Sequence, residues 1–316
     1  PYGSGKCFAG DTPIIFQNPS DFRISTIEEM WNFYSRLFGV LKEPPGEFVP
    51  LKGVIVPSYD GRMFVMKNAL GIYREKVGKI FVIRTKKGRV LKVSGKHRML
   101  VWRNGQSFVE ARKLQKGDYI IFPSSFSLKE ERTFSREEAY LAGLFTADGS
   151  VNPPSISIGN DAILEKTLKI LDSLNISYWI RRDKRNNVNY VMLSKSFLEK
   201  YELGGKAGDK RIPKWVLNGS KEIKESFIAG YLDGDGYVGR NVMEFLTKSK
   251  LLAIDLLYLF RSIGLGCVLR EKKVKGKTFY RIYVTGKDRK VLERLKGIKN
   301  EKVNIRTVSY THLRAH

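Results

Sequence analysis

A chain of 316 residues with 57 Lys+Arg against 32 Asp+Glu carries a formal charge of +25, is long enough for two hydrophobic cores and points to a polyanionic partner, nucleic acid first. Its 42% hydrophobic and 12% aromatic content excludes a disordered chain, and no apolar run approaches the roughly 20 residues of a membrane-spanning helix. Two cysteines (Cys7, Cys267) and three histidines (His97, His312, His316) exclude a disulfide framework and a Cys/His zinc module, so a reducing, cytoplasmic compartment without membrane association is expected.

Residues 1–6, Pro-Tyr-Gly-Ser-Gly-Lys, read as a glycine-rich phosphate loop cut off before its hydroxyl residue, with Cys7 in that place. A working loop needs a strand before it and a helix after it, whereas CFAGDTPIIF (7–16) reads as a turn entering a strand. Residues 1–6 are therefore expected to belong to another protein. From there to about Pro123 short strands dominate, the clearest being the hairpin IFVIRT, turn KKG, RVLKV. One helix interrupts them: Thr26 to Glu29 form a capping box, and Ile27, Met30, Trp31, Tyr34 and Phe38 recur at helical spacing until Gly39. Lys116-Gly117-Asp118 predicts a turn ahead of a closing strand.

A polar connector near 124–133 predicts a linker, after which the chain repeats itself. A helix capped by Ser135 and Glu138 leads through YLAGLFTADGS to a strand, a leucine-lined helix and the basic, strand-like YWIRRDKRNNVNYVML. The second half follows the same order: FIAGYLDGDGYV, a strand, the helix LLAIDLLYLFRSIGL, and the basic hairpin VLREKKVKGKTFYRIYV. Ser173 with Ser262 and Arg181 with Arg270 share one offset of 89 residues, the mark of an internal duplication.

In each copy, small residues four apart (Gly143 and Ala147; Gly230 and Gly234) fall on one helix face and let two backbones approach. Each face is followed by an acid, Asp148 or Asp235, and then by Gly149 or Gly236, where the helix can stop. Packing the helices together brings two carboxylates to one end. Carboxylates so placed repel each other and favour a divalent cation, Mg2+ or Mn2+, which with a phosphate makes a metal-dependent nuclease site. One copy alone would read as an amphipathic helix with an acidic end; two copies 87 residues apart argue against that.

With this motif pair, about residues 130–300 resemble the LAGLIDADG homing endonucleases. The resemblance implies a monomer with pseudo-twofold symmetry, each half laying a curved sheet in a major groove of double-stranded DNA. The excess charge then has a place. Arg181, Arg182, Lys184 and Arg185 crowd one predicted hairpin, and Arg270, Lys272, Lys273, Lys275, Lys277 and Arg281 the other, interleaved with aromatics. Such β-ribbons can reach base edges with alternate side chains and phosphates with the rest. By resemblance a lysine also serves each active site: Lys210, ahead of Arg211-Ile212-Pro213, fits, and aligning GKAGDKRI with GIKNEKVN gives Lys302 as its counterpart. Thr146 stands where the family usually has an acid, a position expected to pack or cap.

The first region resembles the amino-terminal part of an intein splicing domain. CFAGDTPIIF is similar to the opening intein block, and VSGKHRMLV to the block written Thr-x-x-His, with Ser94 for the threonine. The resemblance implies that Cys7 attacks the Lys6 carbonyl to form a thioester, with His97 as acid for the departing nitrogen and Ser94 as hydrogen-bonding helper. Residues 1–6 then become the end of a host protein interrupted in its phosphate loop, as in archaeal or vacuolar-type ATPase catalytic subunits, and the uninterrupted host allele becomes the DNA target. The C-terminal end departs from the family: KVNIRTVSYTHLRAH has no closing His-Asn pair.

The expected fold is thus multi-domain. A mostly-β Hint-type splicing domain, incomplete at its C-terminal end, occupies 7–125 after the host remnant 1–6. An α+β LAGLIDADG domain with two αββαββα-like halves occupies 126–300, followed by an atypical tail, a truncation or scar, over 301–316. The expected activity is DNA cleavage. The rival readings are an RNA-binding maturase that does not cut, and an ATPase using residues 1–6.

Overall fold

The computed structural model describes residues 6–19, 22–86, 89–122, 134–183, 185, 187–239, 242–285 and 295. The chain folds into two compact units, one of Pro1–Thr133, Ala207–Lys221 and Thr247–Ile282, the other of Phe134–Lys206, Glu222–Leu246 and Tyr283–His316. The predicted linker, the tail and the side chains of Lys184 and Lys302 lie outside the described residues.

In the first unit, strands Pro13–Gln17 (β1) and Phe22–Thr26 (β2) form an antiparallel pair that leads into helix Ile27–Phe38 (α1). The capping box is present, with Thr26 Oγ1 accepting from Glu29 N–H at 3.1 Å and Glu29 Oε2 accepting from Thr26 N–H at 2.9 Å. Gly39 ends the helix at φ +77°, a conformation that glycine adopts without a Cβ penalty. The buried face of α1 (Met30, Trp31, Tyr34) packs with Phe16, Val49, Leu51, Val54 and Ile72, which makes this core. Short strands follow: Leu41–Glu43 (β3), Gly46–Pro50 (β4), Ile55–Tyr59 (β5), Phe64–Asn68 (β6), Gly71–Arg74 (β7), Ile80–Arg84 (β8), Val90–Ser94 (β9), Arg98–Trp102 (β10), Gln106–Glu110 (β11) and Tyr119–Ile120 (β12). They form sheets of order β2-β1-β5-β6, β3-β4-β7, β8-β9 and β11-β10-β12. The predicted hairpin pairs Ile80 with Ser94 through Arg84 with Val90. The predicted turn before β12 places Gly117 at φ +104°.

The second unit opens on helix Arg136–Asp148 (α2), again with a complete capping box, from Ser135 and Glu138. Strands Gly149–Val151 (β13) and Pro154–Ile158 (β14), helix Asp161–Ser173 (α3), strands Trp179–Asp183 (β15) and Val188–Met192 (β16) and helix Lys195–Lys200 (α4) complete an α-β-β-α-β-β-α sequence. A short helix Lys214–Leu217 (α5) belongs to the first unit. Then helix Lys221–Asp235 (α6), strands Gly236–Val238 (β17) and Val242–Thr247 (β18), helix Lys250–Ser262 (α7) and strands Cys267–Val274 (β19) and Lys277–Thr285 (β20) run in the same succession. The sheets have matching orders, β13-β14-β16-β15 and β17-β18-β20-β19. The duplication read from residue offsets is therefore also a duplication of topology.

Candidate functional site

The two motif helices are buried on nearly every side: Ala139 through Ala147 of α2, and Phe227 through Asp233 of α6. Glycine permits their contact. A Cβ on Gly143 would stand 2.0 Å from Phe227 O and 2.8 Å from Tyr231 N, and one on Gly230 would stand 2.0 Å from Tyr140 O. Each glycine thus faces the other helix's backbone, which no larger residue allows without separating the helices. Lower down, a Cβ on Gly234 would meet Ala147 Cβ at 2.5 Å and Asp148 Oδ2 at 2.9 Å. The Asp148 carboxylate, half-buried, therefore lies against Gly234, the residue before exposed Asp235.

The helix-ending glycines act differently from expectation. Gly149 is extended, at φ −81° and ψ 149°, so it is not a left-handed stop. Its role is steric, since a Cβ there would meet Phe145 O at 2.3 Å; at Gly236 a Cβ would meet Leu232 O at 2.6 Å. In both copies the chain turns into its strand tightly over the last helical turn. Thr146 Oγ1 bonds back to Ala142 O at 2.7 Å, while its counterpart Asp233, also buried, accepts from Tyr140 OH at 2.7 Å. Among the described residues no three His, Cys, Asp or Glu form a metal-holding group. The oxygen donors at this end are the two aspartates.

The predicted basic segments are hairpins. Arg181 pairs with Tyr190 in register and its guanidinium lies 4.9 Å from that ring's centre, while Arg182 donates to Asn187 Oδ1 at 3.0 Å. Arg181, Arg182 and Arg185 are exposed, as is Trp179. In the other hairpin Lys275 (φ +46°) and Gly276 (φ +74°) form the two-residue turn, with both central residues left-handed as a type I′ turn demands. Arg270, Lys272, Lys273, Lys275 and Lys277 are exposed and Arg281 is half-buried.

Lys210 lies in the first unit, where its carbonyl accepts from Ser249 Oγ at 2.8 Å. Its neighbour Arg211, unnoticed in the sequence, is more deeply engaged. Its guanidinium bonds fully buried Asp255 of α7 at 2.7 and 2.8 Å and Ile24 O at 3.0 Å, and Ile212 N–H also reaches Asp255. Burial pushes the Asp255 carboxyl up, against the pull of Arg211.

Around the Lys6–Cys7 peptide bond the first unit assembles a second constellation. Cys7 N–H donates to Ser94 Oγ at 2.8 Å, and Ser94 N–H donates back to Cys7 O at 2.9 Å. His97 Nδ1 lies 3.1 Å from Lys6 O, and its ring packs on Phe8 with centroids 4.1 Å apart. The imidazole thus meets the carbonyl oxygen, where it can polarise the bond, in addition to the proton donation expected of it. Burial lowers the His97 pKa below its ordinary value, with the Lys6 carbonyl pulling the other way, so the ring is neutral near pH 7. The Cys7 thiol, half-buried, lies 3.6 Å from Glu75 Oε1, whose other oxygen accepts from Tyr73 OH at 3.2 Å. Burial, then the Glu75 charge, push that thiol up to about 11. Neither Glu75 nor Tyr73 stood out in the sequence.

Comparison with known proteins follows this division. The family model of the LAGLIDADG-like domain matches residues 135–203 and 222–297. The replication factor C small subunit of Methanocaldococcus jannaschii is 28% identical over 340 residues, covering 98% of this chain and 18% of that protein. The A-type ATP synthase catalytic-type A subunit of Pyrococcus abyssi is 26% identical over 321 residues, covering 90% and 31%. This chain therefore spans less than a third of the length of either relative. Among solved structures, the homing endonuclease I-DmoI in complex with DNA and Mn aligns at 17% identity and a TM-score of 0.39, over 51% of this chain and 95% of that one. The TvoVMA intein aligns at 24% identity and a TM-score of 0.34, over 37% and 70%.

Proposed function

We propose that this chain, which carries a LAGLIDADG-like domain at residues 135–203 and 222–297, is the nuclease-bearing part of an intein. In this reading it is a divalent-metal-dependent endonuclease for double-stranded DNA, joined to an N-terminal splicing half that forms a thioester at Cys7. The observation that supports the nuclease most directly is the interlock of Gly143 and Gly230, with the Asp148 carboxylate against Gly234, beside Asp235. Two carboxylates at converging helix ends are hard oxygen donors, and that donor set fits Mg2+ or Mn2+. Asp148 and Asp235 would hold the metal, which when bound polarises a phosphodiester and acidifies a water. Lys210 and Lys302 are assigned to charge stabilisation, and the arginines and lysines of the two hairpins to phosphates and base edges. With both motifs in one polypeptide, a monomer suffices.

In the splicing half, Cys7 supplies the nucleophile, Ser94 holds the amide N–H, and neutral His97 polarises the Lys6 carbonyl. The host flank is the phosphate loop ending at Lys6. The relatives named above come from two kinds of protein, replication factor C and ATP synthase. Duplexes spanning the uninterrupted phosphate-loop codons of both genes, incubated with the protein and Mg2+, test the reading. Cutting of one of them, with the interrupted allele spared and with D148N and D235N binding but not cutting, is expected. Binding without cutting by the unsubstituted chain would leave the maturase reading instead, and no binding to either duplex would remove the nuclease.

A further inference from the structure

Three atoms change their bonding when an amide becomes a thioester: the sulfur, the carbonyl oxygen and the nitrogen. At the Lys6–Cys7 link each has its own partner. The nitrogen is held by Ser94 Oγ at 2.8 Å and the oxygen by His97 Nδ1 at 3.1 Å, while the sulfur faces Glu75 Oε1 at 3.6 Å. Glu75, one residue beyond β7, is itself oriented, because Tyr73 OH binds its second oxygen at 3.2 Å. His97 is occupied at the carbonyl, so the group facing the thiol proton is the carboxylate.

We propose that Glu75 is the general base for Cys7 and Tyr73 its positioning residue. This rests on the thioester reading given above. The thiol proton passes to Glu75 as sulfur bonds the Lys6 carbonyl carbon, and the carbonyl electron pair moves to oxygen, against His97. Collapse of that adduct breaks the carbon–nitrogen bond. The pair goes to the Cys7 nitrogen, which takes one proton and so balances the one lost by sulfur; Glu75 returns to carboxylate. A base acting during attack suits this site, because burial and Glu75 itself push the thiol up to about 11 and a preformed thiolate is scarce at neutral pH.

The test uses the full chain with Pro1–Lys6 attached and follows by mass spectrometry the release of that hexapeptide by hydroxylamine, alongside alkylation of Cys7 by iodoacetamide. E75Q keeps the size of the side chain and loses the base. It is expected to slow release by about 100-fold, the range typical of a lost general base, while alkylation becomes several-fold faster because a negative charge beside the thiol is gone. Y73F is expected to slow release by less, and E75D to recover part of it. A merely structural or repulsive Glu75 predicts the opposite sign: release unchanged in E75Q, or accelerated with alkylation, overturns the proposal alone. No hydroxylamine-dependent release from the unsubstituted chain removes the thioester reading, and this proposal with it.

Discussion

The Tyr140 hydroxyl donates to the buried Asp233 carboxylate at 2.7 Å, joining the two motif helices. One repeat away, 87 residues along, the same two positions hold Phe227 and Thr146, a ring without a hydroxyl and a side chain without a carboxylate. Both partners differ together. Thr146 satisfies itself locally, bonding Ala142 O at 2.7 Å. Hydroxyl and acid form a unit in which neither is useful without the other, because a buried carboxylate needs donors and a buried phenol needs an acceptor.

That pairing predicts a coupled pair of substitutions. Y140F should destabilise the second unit by about 1.5–3 kcal/mol, the worth of a hydrogen bond to a charged group. T146D alone should destabilise as well, by burying an acid. Adding F227Y to T146D should recover at least about 1 kcal/mol, and a double-mutant cycle in urea reads the coupling. Additive effects would mean that the two positions do not communicate.

The helix interlock makes a steric prediction. In G143A or G230A the new methyl must displace backbone, since it starts about 2 Å from a carbonyl oxygen. Overpacking of this kind costs about 1–3 kcal/mol, so thermal unfolding should fall by several degrees. DNA cleavage, if it depends on the meeting of the helix ends, should fall by more than stability does. An alanine tolerated at both positions would show that the helices pack more loosely.

Much of this was legible in the sequence, for a physical reason. Capping boxes, the KKG hairpin, small residues four apart and the offset of the two acid motifs are local or periodic signals, and the observed elements follow them. Gly149 was legible as a necessary glycine but not for its reason, because a steric limit and a positive φ select the same residue. Glu75 and Arg211 carried no signal. Each stands in a charged run (Arg74-Glu75-Lys76; Lys210-Arg211) that reads as solvated surface, and each finds its partner far along the chain, 68 and 44 residues away. Long-range pairing of polar groups has no period, so it becomes visible only once the fold brings the partners together.

The Cys7 constellation predicts a stability window in pH. His97 has its pKa lowered by burial, so the unfolded chain takes up that proton first as pH falls, and stability from this group declines through about 6.5 and below. Cys7 is the reverse case: its thiol stays protonated in the fold up to about 11, against an ordinary value of 9.0, so stability declines as pH rises between them. The H97A variant should flatten the acid limb and C7S the alkaline limb in thermal unfolding scans. At pH 8, alkylation of Cys7 should be about ten-fold slower than that of a free cysteine. Two pK units cut the thiolate fraction by about 100, and the greater nucleophilicity of a more basic sulfur restores about ten.

Arg211 and Asp255 show how an ion pair can hold a fold that it does not drive. Asp255 is fully buried, and its two oxygens take three donors, Arg211 Nε and Nη2 and the Ile212 amide. Removing the cation alone takes away two of those three donors and leaves the carboxylate in a low dielectric, so R211M should destabilise the first unit by about 3–5 kcal/mol. Removing both charges should cost much less: R211M with D255L exchanges the pair for apolar volume and recovers most of that loss. The same guanidinium also donates to Ile24 O at 3.0 Å, so R211M should raise amide exchange in β2 beyond what D255N does. Urea unfolding gives the first comparison and hydrogen exchange the second. If R211M cost under about 1 kcal/mol, the pair would be behaving as an exposed salt bridge, and the burial of Asp255 would have to be maintained by its protonated form.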